Sequence, residues 1–170
     1  MSRVAPHRLA AAALGLALAA GTARADTWTR FRDPQSGTSV ELPASRFRAL
    51  PAGRQGAGTV FASRDGRALL SVYGDYLLSA ASFPDYTRRL VDRVRRAGTR
   101  VTYTAGGRGW FVYSGYRGPR IVYEKVILSC RRPLVAHHMV IDYATSARRT
   151  YDPITARLSQ SLEHLNAPPC

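Results

Sequence analysis

The chain has 170 residues, with 25 basic and 11 acidic side chains and a formal net charge of +14. Lys125 is the single lysine, so almost all of the positive charge comes from arginine. The length fits one domain with its own hydrophobic core, and no apolar run after residue 25 is long enough to span a membrane. The charge favours anionic partners, or else indicates only a basic, well-solvated surface.

The first 25 residues have the three parts of a secretory signal peptide. A positively charged start is followed by an apolar run of 12 residues, Leu9–Ala20, and by a small-x-small motif that ends at Ala25. An uncleaved anchor would need about 20 apolar residues. We therefore expect cleavage after Ala25 and a periplasmic or secreted domain over residues 26–170. Its net charge falls to +11, because three arginines leave with the peptide.

The exported chain keeps two cysteines, Cys130 and Cys170. In an oxidising compartment, a pair of cysteines is most simply one disulfide bond. The bond would close a loop of about 40 residues and hold the C-terminal tail against a predicted strand. Two free thiols are the alternative.

Two β-hairpins are predicted in the first half of the chain. The first joins Thr27–Arg32 to Thr38–Leu42, and the second joins Thr59–Ser63 to Arg67–Tyr73. Turn residues separate each pair, with Pro and Gly in the first turn and an Asp-Gly pair in the second. Arg46–Gly58 lies between the hairpins and is expected to be an irregular connection.

The clearest helix in the sequence is Ser82–Ala97. Its apolar residues recur at helical spacing, Ser82 can cap the start, and a glycine follows the end. The opposite side of the helix carries the candidate anion- or partner-binding residues Arg88, Arg89, Arg95 and Arg96. The alternative is a solvated helix face that the acids of the same helix partly neutralise.

The second half of the chain predicts an antiparallel meander followed by a helix. Arg100–Thr104 reads as one strand, and Arg108–Tyr143 reads as three more, with turns at Gly115–Pro119 and Ser129–Pro133. Asp152-Pro153 is expected to open the last helix, with the acid as its N-cap. Two helices that cover the faces of a mainly antiparallel sheet give an α+β fold, a three-layer α/β/α sandwich.

The sequence carries no clear catalytic signature. Ser114, a histidine and Asp142 could in principle form a hydrolase triad, but the G-x-S-x-G elbow is missing around the serine. His137 and His138 are neighbours on a strand and point to opposite faces, which argues against one shared metal ion. We therefore expect no enzyme activity, metal or cofactor, with a hydrolase as the less favoured alternative. No nucleic-acid partner is expected, because the aromatic residues alternate within strands.

Five short motifs carry a family resemblance, and together they span nearly all of residues 26–170. They are Trp28-x-x-Phe31, Gly37 to Pro43, Ser63 to Ala68, Trp110 to Gly115 and Ile121 to Lys125. On these motifs the chain resembles the PsbP-like/Mog family of small α/β/α sandwiches, and in particular exported alphaproteobacterial proteins of that type. The matching residues are turn glycines and strand apolars, so they are structural.

The resemblance implies a non-enzymatic accessory or binding role, since PsbP assists a membrane photosystem and Mog proteins bind a small GTPase. For this chain it implies an accessory or protein-binding domain of the periplasm, with an unknown protein partner in the cell envelope. The alternative is a protein that binds anionic envelope lipid or glycan through the arginines of the first helix.

Overall fold

The computed structural model describes residues 26–51, 58–77, 82–129 and 134–164. The predicted signal peptide and both cysteines lie outside these residues. The strands of the described part are β1 (Trp28–Arg32), β2 (Thr38–Pro43), β3 (Phe47–Ala49), β4 (Thr59–Ser63), β5 (Ala68–Tyr76), β6 (Arg100–Gly106), β7 (Trp110–Arg117), β8 (Arg120–Leu128), β9 (Val135–Ala144) and β10 (Glu163–His164). The helices are α1 (Phe83–Arg96) and α2 (Arg148–Ser161). Neither of these two is long and apolar enough to cross a membrane.

Seven of the strands form one antiparallel sheet with the order β3-β4-β5-β9-β8-β7-β6. A smaller sheet has the order β1-β2-β10 and is also antiparallel. Two edges of the large sheet follow from this order, the three-residue β3 and the seven-residue β6.

The two faces of the large sheet are covered by different elements. Helix α1 packs on one face, where Phe83, Tyr86 and Leu90 meet Val122 and Val126 of β8. Helix α2 and the small sheet cover the other face, and their contacts form the larger part of the core. The predicted α+β sandwich with two helices is confirmed.

Strand β8 shows how the alternation of side chains places polar groups on the two faces. Val122 and Val126 point toward α1, and Ile121 and Ile127 point toward α2. Because successive side chains of a strand alternate, two neighbouring charged residues in the middle of β8, Glu124 and Lys125, lie on opposite faces. Glu124 is buried under α1, and Lys125 faces the α2 side.

Helix α1 begins as the sequence predicts. Ser82 has an extended backbone, and its hydroxyl accepts a hydrogen bond of 3.2 Å from the backbone N–H of Asp85. Pro84 occupies the first turn, where its missing N–H leaves no helical bond unmade. The apolar stripe is buried against the sheet, so the arginines of the opposite side point outward.

The predicted start of the last helix is wrong. A 3-10 turn, Thr145–Ala147, leads directly into α2 at Arg148, so the helix begins before the expected Asp152-Pro153 cap. Asp152 lies inside the helix and accepts a hydrogen bond of 2.6 Å from the hydroxyl of Tyr143. The buried side chain of Tyr151 is also fixed by tertiary contacts, which include a hydrogen bond of 2.8 Å to Asp65. These contacts outweigh the local preference of the Asp-Pro pair.

Two smaller expectations also differ from the structure. The short strand β3 lies within the connection that was expected to be irregular, and it pairs with β4. Gly115 belongs to β7 instead of a turn, and the turn to β8 lies at Gly118-Pro119. Both differences arise where a paired neighbour strand, which local sequence does not reveal, fixes the backbone.

Candidate functional site

An open groove of about 870 Å³ lies on the α2 side of the large sheet, between β6–β8 and the C-terminal part of α2. Its lining residues come from five elements and the residues between them: Tyr103, Trp110, Val112, Tyr123, Lys125, Ile127, Leu128, Ser129, Ser159, Leu162, Glu163 and His164. The volume falls within the range of about 300–1,000 Å³ that is typical of small-molecule sites. The groove is therefore the candidate functional site.

Two exposed aromatic side chains line the groove. Tyr103 of the edge strand β6 is 56% exposed, and Trp110 of β7 is 42% exposed. Val112 and Ile127 are buried and form apolar floor positions beneath them. Exposed aromatic rings over an apolar floor supply large contact areas that lose little entropy on binding.

Lys125 is the cationic centre of the groove. Its ammonium donates a hydrogen bond of 2.7 Å to the backbone carbonyl of Ser159. Half-burial lowers the pKa of Lys125 below its ordinary value. Because an ammonium has three N–H donors, two remain for a ligand beside the bond to Ser159.

The C-terminal wall of the groove is built by β10. Glu163 and His164 pair with Ser39 and Thr38 of β2, and Glu163 also forms an ion pair with Arg30. His164 lies on this strand, and its ring centroid is 4.3 Å from that of His137. His137 of β9 thus packs against His164 in the groove wall.

A second polar cluster is buried on the opposite face of the sheet, under α1. Nδ1 of His138 lies 2.6 Å from Oε1 of Glu124, and Nε2 lies 2.7 Å from the hydroxyl of Tyr86. That hydroxyl donates to Asp75 over 2.9 Å, and the ring of Tyr73 stacks on the imidazole at 4.4 Å. The cluster joins α1 to three strands of the sheet.

The tyrosines of this buried cluster keep their protons. Burial and the charge of Glu124 raise the pKa of Tyr73, and they also raise the pKa of Tyr113, a buried residue of the neighbouring strand β7. Burial and the hydrogen bond to Asp75 raise the pKa of Tyr86. With its polar groups paired and its histidine fully buried, the cluster is suited to fix α1 on the sheet.

The candidate hydrolase residues do not form a triad. Asp142 is bound by Arg117 and Arg120, and the two histidines lie on opposite faces of β9. His137 contacts Thr38 through Nδ1 at 2.7 Å. Among the hydrogen bonds of the described residues, none joins a serine to a histidine and Asp142.

The candidate arginines of α1 lie where the sequence predicts, on its exposed side. Arg88 and Arg89 both pair with Asp85, at the i,i+3 and i,i+4 spacings. Arg95 and Arg96 form no ion pair with any carboxylate of the described residues. Anion or partner binding by these four arginines stays a prediction.

Neither the groove nor the cluster under α1 was predicted from the sequence. Each depends on pairings between distant strands, which periodicity cannot supply. One signal was present: Glu124 and Lys125 interrupt the apolar run of β8 on opposite faces. Charged residues are rarely buried without partners, so such a pair in a predicted central strand marks two polar sites.

Comparison with solved structures settles the fold. Cyanobacterial PsbP from Synechocystis superposes with a TM-score of 0.61 at 14% identity, over 85% of this chain and 96% of the other. This chain has the PsbP/Mog1-like fold. The Ran-binding protein Mog1p of Saccharomyces cerevisiae shares it with a TM-score of 0.57 at 7% identity, over 81% and 95% of the two chains.

A third structure with the PsbP/Mog1-like fold is LpqN of Mycobacterium tuberculosis, described as involved in cell envelope biogenesis. It superposes with a TM-score of 0.53 at 14% identity, over 80% of this chain and 89% of LpqN. No family model matches the sequence, and no curated protein is significantly similar to it. At these identities the likeness shows the fold alone.

Proposed function

We propose that the protein is an exported, non-enzymatic accessory or binding domain of the cell envelope. Its groove would hold one amphiphilic ligand with an apolar chain and an anionic head group. The observation that carries this proposal is the position of Lys125, whose ammonium lies in an open groove that is otherwise mainly apolar and aromatic.

The walls of the groove fit the apolar part of the proposed ligand. Trp110, Val112, Ile127 and Leu162 offer an apolar surface, and the volume is sufficient for an alkyl chain. Burial of a methylene group stabilises a complex by about 0.8 kcal/mol. A chain of several methylenes therefore supplies most of the expected affinity.

The positive charge of Lys125 and of the whole protein fits an anionic head group. Lys125 retains two donors, and a charged partner would restore the solvation that half-burial removes. Glu163 is the one acidic residue of the lining, and its carboxylate is already paired with Arg30. A net charge of +11 on residues 26–170 further favours an anionic ligand.

Export and an envelope location are supported by the sequence of residues 1–25 and by the fold shared with LpqN. The absence of enzyme activity is proposed because the polar groups around Asp142 and His138 are already paired. The ion pairs of Asp142 and the buried bonds of His138 leave neither group poised against the groove.

The test is a titration of residues 26–170 with octyl, decyl and dodecyl phosphate below their micelle concentrations. Binding is followed by Trp110 fluorescence in a Trp28→Phe background, where Trp110 is the remaining tryptophan. We expect Kd to fall by up to about fifteenfold at each step of two methylenes. Lys125→Met should weaken alkyl phosphates about tenfold and leave the neutral octyl glucoside unchanged.

Arg95→Gln is the matched charge control, because Arg95 lies on α1, across the sheet from the groove. It should leave the phosphate series unchanged. The proposal fails if Kd does not depend on chain length, or if Lys125→Met and Arg95→Gln have the same effect.

A further inference from the structure

Strand β6 leaves a long edge of the large sheet unpaired within the described chain. It pairs only with β7, and five of its seven residues are exposed. The opposite edge is the three-residue β3, which offers little backbone for pairing. Free N–H and C=O groups along an edge strand are a template for an added strand.

The edge of β6 has few of the features that usually block strand addition. It contains no proline and no lysine, and it is longer than many edge strands. One irregularity interrupts its register between Val101 and Tyr103. Beyond that bulge, the four residues from Tyr103 to Gly106 pair regularly with β7 and present a continuous outer edge.

The two faces beside this edge differ in chemistry. On the α1 side, Thr104 of β6 lines a pocket of about 330 Å³ together with Arg88 and Arg95, and Asp92 is its one acidic residue. On the other side, the exposed ring of Tyr103 borders the aromatic groove. A strand added here would turn alternate side chains toward arginines and toward aromatic rings.

We propose that the edge of β6 binds an extended segment of a partner protein in which acidic and apolar residues alternate. The backbone of the segment would extend the sheet by one strand. Its acidic side chains would face Arg88 and Arg95, and its apolar side chains would contact Tyr103. This mode of recognition takes affinity from the backbone and specificity from alternate side chains.

A second copy of this chain is a poorer occupant of the same edge. Two copies paired through β6 would bring Arg88 and Arg95 of both chains beside the same edge, on chains that each carry a charge of +11 after cleavage. Like charges at an interface disfavour association. Charge complementarity therefore selects an acidic partner. This surface shares Tyr103 with the groove, but the backbone edge of β6 and the arginines of α1 lie outside the groove lining.

The test uses a capped heptapeptide of alternating Glu and Val, added to residues 26–170. Backbone amide exchange is measured by NMR. We expect alternate amides of the Tyr103–Gly106 stretch to exchange about tenfold more slowly when the peptide stands at ten times its Kd. A Lys-Val peptide, and a peptide with Glu and Val in separate blocks, should give no such protection.

Two double variants distinguish a specific role of Arg88 and Arg95 from an effect of the net charge of the protein. Arg88→Gln with Arg95→Gln should weaken the Glu-Val peptide about tenfold. Arg48→Gln with Arg64→Gln removes the same charge from exposed positions near the β3 edge and should leave binding unchanged. Lys125→Met should also leave it unchanged, which separates this surface from the proposed amphiphile site.

Three outcomes would overturn the proposal. In the first, the peptide binds without protecting the amides of β6. In the second, the block and alternating peptides bind equally, and the double variant at Arg88 and Arg95 loses heparin binding by the same factor as peptide binding. These results would show general polyanion binding. In the third, the same amides become protected with rising protein concentration alone, which would assign the edge to a second copy.

Discussion

Nδ1 of His138 lies 2.6 Å from Oε1 of Glu124, and the two residues are 0% and 2% exposed. The pair joins neighbouring strands β9 and β8 beneath α1. Tyr86 ties the helix to it through Nε2 of the same imidazole. Two buried contacts of His138 thus join the central sheet to the helix that carries the arginine face.

Removal of Glu124 should therefore be strongly destabilising. Truncation of one member leaves the buried imidazole without its carboxylate, and such losses amount to about 3–5 kcal/mol. Glu124→Ala is expected to lower the free energy of unfolding by that amount in urea denaturation. Glu163→Ala is the control, because its ion pair with Arg30 is exposed and worth about 1 kcal/mol or less. Equal losses in the two variants would contradict a structural role for the buried pair.

Local signals were sufficient for much of the fold. The Ser82 cap and the apolar stripe define α1, and the β-branched runs of the meander define β7, β8 and β9. These elements have strong periodicity along a continuous stretch of chain. Two helices on one antiparallel sheet then leave few other architectures.

Contacts between distant parts of the chain fix the elements that were not predicted from the sequence. The first turns of α2 are fixed by Tyr151, which contacts Tyr143 near the end of β9 and Asp65 in the turn between β4 and β5. Strand β10 exists because it pairs with β2, although it has only two residues. The groove needs both of these elements, so the site could not be predicted even though Lys125 was visible in the sequence.

Gly115 is required for the close approach of β6 to β7. A Cβ atom at this position would overlap the carbonyl oxygen of Arg100 and lie 2.9 Å from Cα of Val101. Since both are backbone atoms, the edge strand would have to move. Gly115→Ala should cost about 1–3 kcal/mol in urea unfolding and speed amide exchange in β6. Gly118→Asn is the control, because a Cβ there meets open space and asparagine tolerates the left-handed backbone. A loss in Gly118→Asn as large as that in Gly115→Ala would contradict the steric argument.

The Ser82 cap gives a prediction specific to α1. Its hydroxyl satisfies the N–H of Asp85 at the exposed helix start. Ser82→Ala should lower the free energy of unfolding by about 1 kcal/mol, and Ser82→Asp should keep most of it, because aspartate caps equally well. Thermal unfolding monitored by circular dichroism would measure both. The assignment is wrong if alanine and aspartate give the same midpoint.

The pH dependence of stability should depend on His137. Burial, with the charges of His164 and His138, lowers the pKa of His137 to about 4. In the unfolded chain the pKa returns to about 6.5, so the unfolded state binds more protons between these values. Stability is therefore full above about pH 6.5 and falls as the pH drops toward 4. The total loss from this group is about 3 kcal/mol.

His137→Asn isolates this effect from the carboxylates that titrate in the same range. The asparagine amide can keep the contact with Thr38 but cannot take up the proton. Urea unfolding at several pH values should give a slope between about pH 6.5 and 4 that is flatter in the variant than in the wild type. An NMR titration of the wild-type imidazole measures the pKa directly, whether or not the variant folds. A ring that titrates near its ordinary pKa, or equal slopes for the two proteins, would contradict the prediction.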